Sequence, residues 1–311
     1  MKYAFGVDLG GTSVKLAHFD ENGTMLAKWE IPTVTDNGGG RILPDIAAAL
    51  DRYMAECGLN KADVLGVGIG VPGAADANGV VPSCDNLYWG RVDVKGVLSC
   101  LTGLPVAVGN DANVAALGES WKGSGNNCEN MVMVTLGTGV GGGVILGGKQ
   151  LCGVHGAAGE IGHMVLEPKE QERCNCGKCG CAEQYCSATG VVRLAKRYLE
   201  VNNEASVLRA VQQLTAKDIF DAAKAGDKSA NAILEQFYDY IGQLLANICC
   251  VVDPEVIVLG GGVSKAGEVL LEGVRKAFER YSYHACRTTR FALASLGNDA
   301  GVYGAVKLVL N

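Results

Sequence analysis

Gly6-Val7-Asp8-Leu9-Gly10-Gly11-Thr12, near the start of the chain, is echoed by Thr135-Leu136-Gly137-Thr138-Gly139-Val140 near its middle. Each is an apolar run, broken by a glycine–threonine turn and followed by a second apolar run at residues 14–19 or 144–146. Short apolar runs bounded by glycines read as buried strands. Each copy is therefore a strand, a tight turn and a returning strand. An echo at the head of each half predicts two α/β domains of similar design facing one cleft.

Outward from the first copy, residues 24–31 add a third strand after Glu21-Asn22-Gly23, which makes a meander. Ile42, Ile46, Leu50 and Met54 recur at helical spacing within 40–57. Residues 64–71 are a buried strand ending in Val71-Pro72-Gly73. Another strand, 105–108, ends on Gly109-Asn110-Asp111, and a helix follows over 113–121. The polar, glycine-rich stretch 123–127 places the domain hinge, with residues 1–122 in the first domain and 123–298 in the second. The apolar segment 299–311 is expected to be a helix that packs back on the first domain. Outward from the second copy, 188–252 is mostly helical, with Ile233, Phe237, Ile241, Leu244 and Ile248 as one core stripe. A strand over 256–259 runs into Gly260-Gly261-Gly262, and a helix is expected from about Ala266.

The chain has 311 residues and a net charge of −6, with no basic stripe, so a nucleic-acid partner is disfavoured. No apolar run approaches the roughly 20 residues that span a membrane. The thirteen Cys are an odd total, unlike a secreted disulfide framework, and point to a cytoplasmic protein. Nine are scattered and read as small core residues. The other four, Cys174, Cys176, Cys179 and Cys181, crowd into one loop.

Glycines at strand ends let backbone N–H groups approach an anion, and a hydroxyl adds a donor. Asp8, Gly10, Gly11 and Thr12 form one such turn. It is either a phosphate-binding turn, with Asp8 holding a hydrated Mg²⁺, or a plain hairpin. Gly137, Thr138 and Gly139 repeat the chemistry, and Gly261 and Gly262 offer a third approach, to adenosine. No Gly-Lys-Ser/Thr follows, so this is not a P-loop, and the glycines open hairpins, so it is not a dinucleotide fingerprint. Asp111, at a strand end, is either the base that accepts a hydroxyl proton in phosphoryl transfer or the cap of the following helix. In a reducing compartment, crowded thiols near a histidine read as a zinc site, with a redox switch or inert thiols as alternatives. Spacing leaves open which three cysteines join His163.

Together these residues resemble the ROK family of sugar kinases and sugar-responsive repressors. Cys174, Cys176, Gly177, Gly180, Cys181 and Glu183 fit the family's Cys-x-Cys-Gly-x-x-Gly-Cys-x-Glu signature at every fixed position. The Asp-x-Gly-Gly-Thr start, Asn110-Asp111, Glu160-x-Gly-His163 and Gly260–Gly262 stand in family order. Asn86-Leu87-Tyr88-Trp89 and Gly156-Ala157-Ala158-Gly159-Glu160 are similar to segments of its glucose-phosphorylating members. The resemblance implies an α/β, actin-like ATPase (ribonuclease H-like) fold of two domains around a central cleft. It implies ATP-dependent phosphorylation of a hexose, glucose to glucose 6-phosphate, in glycolysis. The alternative is an N-acetylmannosamine, N-acetylglucosamine or fructose kinase. It implies ATP, Mg²⁺ and structural Zn²⁺, with the zinc on His163, Cys174, Cys176 and Cys181 and Cys179 spare. It implies sugar contacts from Asn86, Asn110, Asp111, Glu160, His163 and Glu183, with Asp111 as base. Repressor members carry a helix-turn-helix ahead of Asp-x-Gly-Gly-Thr, and that motif begins here at residue 8. The helical second half makes a homodimer the expected assembly.

Overall fold

The structure, a computed structural model, describes residues 1–310. It divides into two compact units. Unit 1 comprises Met1–Glu129, Gly143–Gly159 and the segment from Ser295 onward; unit 2 comprises Asn130–Gly142 and Glu160–Ala294.

In unit 1, β1 (Tyr3–Leu9), β2 (Ser13–Asp20) and β3 (Met25–Pro32) form an antiparallel meander. An irregular turn, α1 (Asp36–Gly39), and the helix α2 (Ile42–Glu56) follow. β4 (Val64–Val71) pairs parallel with β1. A small ribbon, β5 (Val80–Val81) with β6 (Val92–Asp93), leads through α3 (Val94–Thr102) to β7 (Val106–Asn110) and α4 (Asp111–Lys122). The sheet order is β3-β2-β1-β4-β7. Ile42, Ile46, Leu50 and Met54 of α2 are buried in one cluster with Phe5, Val7, Val67 and Ile69 of the sheet. β4 is an unbroken apolar run because elements cover both of its faces.

Unit 2 begins with β8 (Met131–Leu136). β9 (Val140–Leu146) starts in unit 2, ends in unit 1 and closes a hairpin with β10 (Lys149–Gln150). After the cysteine loop come α5 (Glu183–Cys186), α6 (Ala188–Val201), α7 (Ala216–Lys224) and α8 (Lys228–Val252). β11 (Val256–Gly260), α9 (Glu268–Tyr281) and β12 (Arg290–Leu293) complete the unit. β8, β11 and β12 are parallel neighbours. Side chains set the helix starts: Ser187 caps α6, Thr215 and Asp218 make a capping box on α7, and Asp227 caps α8. The helix expected from Ala266 starts later. A 3₁₀ turn over Gly262–Ala266 intervenes, and Gly267, at φ +73°, breaks it from α9.

The last helix, α10 (Ala300–Lys307), lies in unit 1 on the sheet face opposite α2. Its Val302 and Val306 close a second core with Ala4, Ala17 and Phe19. The contact is backbone on backbone: a Cβ on Gly68 would sit 1.7 Å from the Ala305 carbonyl oxygen, and one on Gly118 of α4 would sit 2.2 Å from that of Ala300. Only glycine permits that approach.

The chain passes between the units at 129/130 and 294/295, where the sequence placed the boundaries at 122/123 and 298/299. It also returns to unit 1 over 143–159, a crossing the sequence reading did not contain. Burial explains the return: Val144 and Ile145 are buried, and a Cβ on Gly143 would strike Ala116 of α4. Among the described residues, no helix is long and apolar enough to cross a membrane.

Candidate active site

In unit 1, Asp8 ends β1 and faces Lys15 across the hairpin, with Lys15 Nζ 3.5 Å from Oδ2. Burial holds the Asp8 carboxyl above the usual range, and Lys15 partly offsets it. The turn that follows closes through Gly10 N–H to Ser13 O at 3.0 Å, and Thr33 Oγ1 donates to Gly10 O at 2.7 Å. Gly11 and Thr12 are exposed. Gly11 lies beside Asn86, whose carbonyl oxygen is 3.7 Å from the position of a Gly11 Cβ. Asn86 sits in a 3₁₀ turn, Asp85–Leu87, and Tyr88 ends that turn in the left-handed region at φ +55°. Asn110 and Asp111 join β7 to α4. Asn110 caps α4: its Oδ1 accepts from Asn113 N–H at 3.1 Å, while Nδ2 donates to Gly73 O and Asp111 Oδ1. Asp111 is therefore the first helical residue and not the cap. It is half-buried at the positive end of the helix, and its Oδ1 also accepts from Ala112 N–H at 2.8 Å.

In unit 2, the turn at Gly137–Gly139 closes through Gly137 N–H to Gly139 O at 3.0 Å. Gly261, at φ +82°, runs against Leu136 at the root of that turn, where a Cβ would lie 2.6 Å from Leu136 O. Gly262 and Val263 line a cavity of about 370 Å³ with Ala188, Ala216, Phe220 and Ala266. Lys217, Asp221, Lys224 and Lys265 complete its lining, so an apolar patch that suits a flat heteroaromatic ring is bordered by charged side chains.

The second motif of unit 2 gathers His163, Cys174, Cys176 and Cys181, whose ligand atoms all lie within 4.8 Å of one another. His163 Nδ1 is 3.9 Å from Cys174 Sγ, and Cys176 Sγ is 3.5 Å from Cys181 Sγ. Sulfurs around a tetrahedral zinc, with Zn–S near 2.3 Å, are separated by about 3.8 Å, so this donor set fits one ion. His163 turns its other nitrogen, Nε2, toward Glu160 Oε2 at 4.0 Å. Gly177 and Gly180, at φ +88° and +76°, let the loop double back, with bridges Arg173↔Cys179 and Val165↔Cys181. Cys179 stands apart, its Sγ 3.6 Å from Gln171 O. Glu183 brings one carboxylate oxygen to Val140 N–H at 3.0 Å and the other to Cys174 Sγ at 3.8 Å.

Sequence reasoning missed what anchors this loop. Glu170, with a side chain only 5 % exposed, accepts from Arg197 at 2.8 Å, Arg193 at 2.6 Å and Tyr185 OH at 2.6 Å. Hydrogen bonds from Arg197 hold the carboxyl well below the usual range, against the opposing effect of burial, and those from Tyr185 and Arg193 add to it. A folded value below the unfolded 4.5 stabilises above that pH and is lost as pH falls toward the folded value. Glu170→Gln is expected to cost about 3 kcal/mol near pH 7, the low end for breaking a buried ion pair. The gap to the parent should narrow on acidification below about pH 4. Thermal melts across that range check it, and a gap that does not change with pH would refute the ion-pair account.

A family model described as "ROK family" matches residues 4–311. A glucokinase from Halalkalibacterium halodurans is 43% identical over 313 residues, covering 99% of this chain and 95% of that protein. The crystal structure of a ROK family glucokinase from Streptomyces griseus, in complex with glucose and AMPPNP, aligns with TM-score 0.74 and 35% identity over 98% of each chain. That of a ROK hexokinase from Thermus thermophilus aligns with TM-score 0.82 and 32% identity, over 98% of this chain and 97% of that one.

Proposed function

The chain belongs to the ROK family and has the actin-like ATPase fold, and from that premise we propose that it phosphorylates glucose with ATP to give glucose 6-phosphate. The observation that carries the reading is Asp111, a half-buried carboxylate at the head of α4 whose capping duty is taken by Asn110. Asp111 accepts the proton of the sugar's primary hydroxyl as that oxygen bonds to the γ-phosphorus. The bond from the γ-phosphorus to the bridging oxygen breaks, and ADP leaves with the electron pair. Asn86, Asn110, Glu160, His163 and Glu183 are the side chains assigned to the sugar hydroxyls. A wrong epimer would leave some of these groups unpaired, which is costly and therefore selective.

The backbone of Gly10, Gly11 and Thr12 and of Gly137, Thr138 and Gly139 receives phosphate oxygens. Gly261 and Gly262, the second of which lines the cavity, face the adenosine. Asp8 is the carboxylate for Mg²⁺, which neutralises phosphate charge when bound. His163 Nδ1 and the thiolates of Cys174, Cys176 and Cys181 hold zinc. All four positions are filled by protein, so the ion is structural. Metal ligation through Nδ1 would leave Nε2, the nitrogen nearer Glu160, for a sugar hydroxyl. In this reading the enzyme acts in glycolysis, in the cytoplasm, as a homodimer.

ADP release measured with glucose, mannose, fructose and the N-acetylated hexosamines tests the proposal. Glucose should give the highest kcat/KM. Sugar-independent ADP release, or none with any hexose, would overturn it.

A further inference from the structure

The turn at residues 137–139 has one internal hydrogen bond, Gly137 N–H to Gly139 O, and further support from outside it. Two of its carbonyl groups, and the N–H of Val140 that follows it, are fixed by one short stretch of unit 2, Glu183 to Thr189. Ala188 N–H donates to Gly137 O at 2.7 Å, and Thr189 Oγ1 donates to Thr138 O at 2.8 Å. Glu183 Oε2 accepts from Val140 N–H at 3.0 Å, and it lies 2.2 Å from where a Cβ on Gly139 would stand. The stretch is itself an elbow between α5 and α6, locked by Ser187. That residue is fully buried, its Oγ donates to Glu183 O at 2.7 Å, and it lies 2.9 Å from Thr189 Oγ1.

The elbow starts two residues after Cys181. Ala182 N–H, next in the chain, donates to Met164 O at 2.8 Å, beside His163. A continuous path of covalent and hydrogen bonds thus joins the four metal-ligating side chains to the glycine turn, all inside one unit. Three fixed backbone groups leave the turn little freedom, which is what preorganised anion binding requires. If the elbow shifts, the turn's N–H groups shift with it.

We propose that Thr189, acting through the Glu183–Thr189 elbow, positions the 137–139 turn for the nucleotide phosphates, and that order in the metal loop reaches the nucleotide by this route. This rests on the reading of that turn as a phosphate site. Thr189 is a positioning residue and touches no reacting atom.

The test is AMPPNP and glucose binding by calorimetry on the full chain: parent, Thr189→Val, Thr189→Ser, and the parent stripped of metal by chelation. Valine keeps the shape and deletes one donor, which is expected to weaken AMPPNP roughly fivefold. Glucose affinity and metal content should stay within twofold of the parent, and serine should restore AMPPNP binding. Metal-stripped parent should also bind AMPPNP more weakly. Unchanged AMPPNP affinity in Thr189→Val overturns the positioning role, as does equal weakening of both ligands, which would mean general loosening. Unchanged AMPPNP affinity after chelation overturns the link to the metal loop. A parent that binds no AMPPNP would instead remove the phosphate reading itself, and this inference with it.

Discussion

Asp111→Asn is expected to lower kcat by roughly 10²–10⁴-fold, the range that a positioned general base contributes. The substitution is chosen to isolate the proton. Asp111 Oδ1 accepts from Asn110 Nδ2 and Ala112 N–H, and an asparagine oxygen can accept both bonds. Asn110 keeps its cap on α4, so the helix start should persist. The lost charge at the helix N-terminus costs at most about 2 kcal/mol of stability. Glucose binding, measured by calorimetry, should therefore change by no more than a few-fold while turnover collapses. A variant with kcat within tenfold of the parent would show that another group takes the proton. Equal loss of binding and turnover would make Asp111 a sugar anchor and not a base.

The second large effect is expected from Cys181→Ser. Cys181 is completely buried, and its sulfur lies 3.5 Å from that of Cys176. Its strand bridge to Val165 and its proximity to α5 make it the point where the loop joins the body of unit 2. Metal binding in such loops is folding free energy, because the unliganded thiols and imidazole have no other reason to converge. Elemental analysis should find about one zinc per chain in the parent and little in the variant. Glucose affinity should fall by roughly 10–100-fold, because Glu160 and His163 lose their support. Cys179→Ser is the control: that sulfur contacts Gln171 O and stands outside the ligand set, so metal and activity should be retained. A Cys181→Ser protein that keeps its zinc would remove this residue from the ligand set.

The features that carried the sequence reading were those where chemistry restricts residue type locally. A strand that turns within two or three residues needs glycine, so Gly10-Gly11 and Gly137–Gly139 located hairpins, and β1, β2, β8 and β9 stand where those turns place them. Four ligands drawn from a span of nineteen residues, His163 to Cys181, are likewise legible, and their side chains do converge. What escaped depends on partners that periodicity cannot pair. Glu170 meets Arg193 across 23 residues, and Glu183 meets Val140 across 43. The same holds for the return of 143–159 to unit 1, which is set by how closely Gly143 approaches α4 and not by any break in composition. The sequence left Asp111 open as base or helix cap because adjacent Asn and Asp have similar cap propensity, and only the dihedral angles of the junction give the cap to Asn110.

The glycine contacts of α10 bear on the order in which the molecule is made. The sheet of unit 1 is synthesised first, yet the face bearing Ala4, Ala17 and Phe19 takes its fully buried partners, Val302 and Val306, from α10, with Trp121 of α4 packed beside them. A nascent chain must therefore leave much of this apolar face uncovered while the whole of unit 2 is translated, on the order of ten seconds or more at cellular elongation rates. Unit 2 can reach its final packing while unit 1 is still waiting. Gly68 and Gly118 then have a second meaning: they keep open a slot, with no side chain to collapse into it, for a helix that arrives last.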